Sequence, residues 1–241
     1  MNRRKFVSAI AVGSLLGASN GALAQFGSLG KLKDAVKGGS GAAGDNTSGG
    51  ISSWKQAAEV FASAKTEFSS AVTSLTNISA DIADALELKS EAAVLRQEAE
   101  SLQSKGDAMG TADLDVISKN SESTHELISA KLEAADNLSG EQLAALGQAA
   151  VDYVPLMITT IGVAKKVKDT VSGVSGLGMP GFTDGKAALS AGKEIPKLGP
   201  KMVTFSIDAV KTGSSLIKLM NTKGVATPDL SELDSQFSDF A

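Results

Sequence analysis

Five large apolar residues recur at intervals of seven, Trp54, Phe61, Phe68, Leu75 and Ile82, and Ala57, Ala64, Ala71, Ile78 and Ala85 each follow three positions later. An apolar residue every 3.5 positions, kept up for more than four heptads, suits a helix that lays one seam against other helices. It does not suit a strand, whose side chains change face at every residue. The seam then slips by one place and continues as Leu88, Leu95 and Leu102, with Ala92 and Ala99 between. One helix of about 50 residues, from about Ser53 to Ser104 and roughly 75 Å long, is expected. Its alanines invite close neighbours, and the residues Trp54, Phe61, Phe68, Leu75 and Ile82 form a candidate interaction seam for a partner or a second copy.

Lys105-Gly106 ends this helix, and Thr111 with Asp113 opens a second one running to about Leu138. Its stripe is Leu114, Ile117, Ile128, Leu132 and Ala135, broken by Ser121 and Thr124. Ser139 before Gly140-Glu141-Gln142 caps a third helix, which Pro155 should kink near Val151. The stretch Ser172 to Phe182, with four glycines and a proline, is a loop. A fourth helical region opens at Thr183 and Asp184, breaks at Pro196 and Pro200, and resumes from Lys201 to about Thr222. After Pro228 comes a tail whose Leu230, Leu233, Phe237 and Phe240 share one helical face. The expected fold is all-α, an elongated helical bundle of about four main helices occupying residues 51–224, followed by an acidic tail, 225–241.

The chain begins with Arg3, Arg4 and Lys5, then an apolar run from Phe6 to about Leu16, and reaches the small-x-small pattern Ala22-Leu23-Ala24. That is the form of a signal peptide, residues 1–24, cleaved near Ala24. The expectation is a periplasmic or secreted protein exported by the general secretory route; Arg3-Arg4 before Lys5-Phe6-Val7 also resembles a twin-arginine signal. Residues 25–50 hold Phe26, Leu29, Leu32 and Val36 at helical intervals among Lys31, Lys33 and Lys37. A Gly-rich tether, Gly38 to Gly50, follows.

Removing the first 24 residues leaves 20 basic groups against 27 acidic ones, a net charge of −7. That balance argues against nucleic acid as a partner. With no cysteine, disulfides and thiolate metal sites are excluded. The single histidine, His125, follows Glu122 by three, the Glu-x-x-His element with which ferritin-like bundles hold two metal ions. Such sites need a second element of the same kind, which one histidine cannot supply, so Glu122 and His125 are weak metal candidates and no cofactor is expected. No Gly-x-Ser-x-Gly elbow or phosphate-binding loop is present, and an enzyme is not expected.

From Leu143 to Ala164, 22 residues carry one charge, Asp152. That is long enough to cross a bilayer, with Val154, Leu156, Met157, Ile158 and Ile161 as its most apolar part. A Gly-rich hinge and Lys165, Lys166 and Lys168 follow. This layout is similar to that of cytolysin-type α-helical pore-forming toxins, which bury an apolar segment until they meet a membrane. The simpler expectation is a core helix, apolar nearly all round because neighbours shelter it. The function expected is non-catalytic binding of a protein or an apolar ligand in the cell envelope, with self-association or a protein partner. The alternative is a membrane-active protein inserting around residues 143–182.

Overall fold

The computed structural model describes residues 51–238 and 240, with six α-helices and no strand among the described residues. They are α1 (Trp54–Ala85), α2 (Lys89–Lys105), α3 (Thr111–Ala134), α4 (Gly140–Val174), α5 (Gly185–Thr222) and α6 (Ser231–Ser238). The expected signal peptide and the basic segment with its tether lie outside the described residues. Side-chain pairings fix the helix directions. Arg96 of α2 folds back onto Asp81 and Asp84 of α1, at 3.0 and 2.6 Å. Glu98 of α2 meets Asn120 of α3, Gln142 at the start of α4 reaches the carbonyl of Ala85, and Lys65 of α1 meets Glu194 of α5. The first five helices therefore alternate up and down.

The expected 50-residue helix is instead a hairpin of two. At its turn the Leu88 N–H donates to the Ala83 carbonyl (2.8 Å) and the Glu87 N–H to that of Asp84 (2.9 Å). This is a Schellman stop, and Glu87 takes the left-handed position at φ 64°. The one-place slip of the seam between Ile82 and Leu88 marks the reversal. The same stop ends α5 with the customary glycine, where Gly224 sits at φ 83° and the Val225 N–H reaches the Met220 carbonyl.

Ser139 caps α4 as the sequence suggests. Its Oγ accepts from the Gln142 N–H, and Gln142 Oε1 accepts from the Ser139 N–H. Pro196 and Pro200, by contrast, break nothing, for α5 is one helix of 38 residues across both, and α4 is likewise continuous through Pro155. All three prolines are exposed, so the carbonyls their missing N–H groups leave free face water rather than the core. Along α5, Gly192, Gly199, Ser206 and Gly213 fall a heptad apart. A Cβ at Gly199 would lie 2.6 Å from Val171 of α4, so α5 lies close against its neighbour.

The core has two clusters. One, at the α1–α2 turn, holds Leu75, Ile82, Leu86, Ile128, Met157 and Met220; the other, toward the α4–α5 loop, holds Trp54, Phe61, Phe68, Leu114, Val167 and Ile195. All five seam residues are thus buried in the chain's own bundle, where each large one contributes about 1.5–3 kcal/mol. Leu230, Leu233 and Phe240 are likewise buried, and Phe237 is packed against the same cluster. Lys168 of α4 holds the tail end, donating to the Phe240 carbonyl (3.1 Å) with its ammonium 5.1 Å from the ring centre. In α4, Val154, Met157 and Ile161 are buried and Leu156 and Ile158 partly so. Within the stretch 143–164 the exposed residues are Ala144, Ala145, Gln148, Val151, Pro155 and Gly162.

Candidate functional site

The break in the α3 stripe shapes the most distinctive feature of the bundle. Helical spacing carries the core positions of α3 from Leu114 and Ile117 through Ser121 and Thr124 to Ile128 and Leu132. The four apolar residues are buried, while Ser121 is exposed and nothing between Ser118 and Leu127 is buried. Two small polar side chains stand where leucine-sized ones would reach the neighbouring helices, so the helices meet at both ends of α3 and part in the middle. Lysines fasten those ends. Lys105 pairs with Asp113 and Lys201 with Asp115, and Lys223 donates to the carbonyls of Glu133 and Ala135.

Behind the break, at the junction of the two core clusters, lies a cavity of about 30 Å³, enough for about two water molecules. All five long helices line it. α1 contributes Thr76 and Ser79, α2 Glu98, α3 Ser121, Thr124 and His125, α4 Tyr153, and α5 Phe205 and Thr212. In front of it, between α3 and α5, is a groove of about 350 Å³ walled by Ser118, Ser121, Glu122, Phe205, Asp208, Ala209, Lys211 and Thr212. The two share Ser121, Phe205, Ala209 and Thr212, so the cavity lies directly behind the groove. The Phe205 ring is held edge-on by Phe68, with centroids 5.7 Å apart.

Burial governs the titratable groups here. The Glu98 carboxyl is pushed above its ordinary range by desolvation, against which the Asn120 amide, 3.4 Å away, works weakly. His125 is pushed down by desolvation, opposed by the charge of Glu126. The Tyr153 hydroxyl, bonded to Ser79, is pushed up by its burial. At neutral pH the interior of the site therefore favours an uncharged imidazole and an intact phenol.

Of the metal candidates, Glu122 faces the groove and His125 the cavity, and among the described residues no three His, Asp or Glu side chains group as a metal site. Ser129 Oγ lies 3.4 Å from His125 Nε2, one turn along α3, and among the described residues no carboxylate accepts from the other ring nitrogen. A Ser-His pair without an orienting acid lacks the triad's geometry. Sequence patterns pass over Glu98, Tyr153 and Asp208, since on α2 Glu98 reads as one more solvated carboxylate. The seam and tail residues and the apolar stretch of α4 are all placed away from this groove except Leu75 and Tyr153, which line its inner cavity. No protein-family model, curated protein or solved structure matches this chain.

Proposed function

We propose that this chain is an exported, non-catalytic helical-bundle protein that acts by binding in the cell envelope, and that its binding site is the groove between α3 and α5. The observation that carries this reading is the polar interruption of α3, which holds open a groove of about 350 Å³ in front of a cavity lined by polar groups. That volume falls within the range of small-molecule sites, and six of the eight wall residues are polar or charged, so the site suits a polar ligand with a small apolar part. Phe205 and Ala209 supply the apolar surface. The seam and tail, whose apolar side chains pack within the chain itself, offer a partner less.

The test fills the groove. Ser121→Leu completes the α3 stripe, so it should keep the fold and raise stability by about 1 kcal/mol. Ligand-observed NMR of the mature protein against a small-molecule library should give binders that this variant no longer takes. Binders unaffected by Ser121→Leu would place recognition elsewhere.

A membrane-active protein is the second reading, favoured by α4, which is long and apolar enough by length and composition to cross a bilayer. More than half of its most apolar window is buried in the bundle, so insertion requires the bundle to open.

A further inference from the structure

We infer that the groove between α3 and α5 takes a small organic cation, an ammonium group carried on an apolar body. The inference rests on the groove reading above and specifies its ligand. The walls hold two exposed carboxylates on facing helices, Glu122 of α3 and Asp208 of α5. Among the described residues neither forms an ion pair, although six other ion pairs tie this bundle together. Lys211 is the one cation on the walls, and it sits three residues along α5 from Asp208. A third carboxyl, Glu98, stands in the cavity behind.

An anion entering here meets Glu122 and Asp208 at the mouth and Glu98 at the back. An ammonium meets attraction from these carboxylates, set against the single opposing charge of Lys211, and the shared wall adds the aromatic Phe205. The apolar body of the ligand then rests on Phe205 and Ala209. Charge of this arrangement selects among ligands more than it raises affinity, since like charge across a contact suppresses the wrong partner.

Three matched probes decide the matter on the full mature chain: 2-phenylethylamine, 2-phenylethanol and 3-phenylpropanoate. Backbone amide shifts at Ser121, Phe205 and Thr212 report occupancy. The amine should saturate these shifts with a Kd at least tenfold below those of the alcohol and the acid. The double variant Glu122→Gln, Asp208→Asn, both positions exposed and outside the core, should erase that preference. If alcohol or acid binds at these amides as well as the amine, the ligand class is wrong and the groove reading survives. If none of the three moves them, both are wrong.

Discussion

Gly213 of α5 and Tyr153 of α4 meet with no room for another atom: a Cβ at Gly213 would fall inside the contact radius of the Tyr153 ring and 2.5 Å from Met157 Sδ. Gly162, on the water-facing side of α4, has nothing within 4 Å of its Cβ direction. Alanine is the better helix former at either place by about 1 kcal/mol. Gly162→Ala should therefore stabilise the protein by about 0.5–1 kcal/mol, while Gly213→Ala should cost about 1–3 kcal/mol through overpacking. Denaturant unfolding of the two variants measures both, and equal effects would mean that α4 and α5 lie further apart than described.

A second glycine experiment addresses the α1–α2 turn. Glu87 occupies the left-handed position of a Schellman stop, where a Cβ costs roughly 1 kcal/mol and glycine costs nothing. Glu87→Gly should raise stability by up to about 1 kcal/mol. If α1 and α2 were one continuous helix, the same change would lower stability by about that amount. The sign of the shift in unfolding midpoint distinguishes a hairpin from a rod.

That turn also shows what the sequence discloses and what it withholds. The heptad of Trp54 to Ile82 declares a buried seam, and the slip at Leu88 declares an irregularity. A stop built on glutamate carries no glycine to announce it, whereas Lys105-Gly106 at the end of α2 announces itself. Pro196 and Pro200 read as breaks because the pattern alone does not reveal that both face water, where the freed carbonyls are solvated. The candidate site was half visible, in Ser121 and Thr124 interrupting an apolar stripe. Its other half, Glu98, Tyr153 and Asp208, comes from helices that only the hairpin and the close α4–α5 packing bring to face that interruption.

Glu98 and His125 line one cavity and should bend the pH dependence of stability in opposite senses. The Glu98 carboxyl is raised by burial, so its contribution is full below the ordinary value of 4.5 and is lost as pH rises through the folded value. His125 is lowered by burial, so its contribution is present above the ordinary 6.5 and is lost as pH falls through the folded value. Glu98→Gln should therefore raise the unfolding midpoint at pH 7, with the gain closing toward pH 4. His125→Gln should flatten the loss of stability on acidification below pH 6.5. Midpoints measured across this range should diverge from the parent in these two directions, and curves parallel to it would show that neither group is desolvated.

The apolar stretch of α4 offers the sharpest test between binding in solution and action on a membrane. Ile161 is 1 % exposed and Val151 is 51 % exposed, so the same charge placed at each probes different things. Ile161→Asp buries an unpaired carboxylate and should destabilise by about 3 kcal/mol or more, which would abolish lipid binding and ligand binding alike. Val151→Asp puts its charge in water and should change stability by less than about 0.5 kcal/mol. Flotation of the protein with liposomes, together with dye release, should find both the parent and Val151→Asp left in solution. If the parent floats and Val151→Asp does not, the exposed face of α4 is a membrane element. The bundle would then be the closed form of a protein that opens to insert.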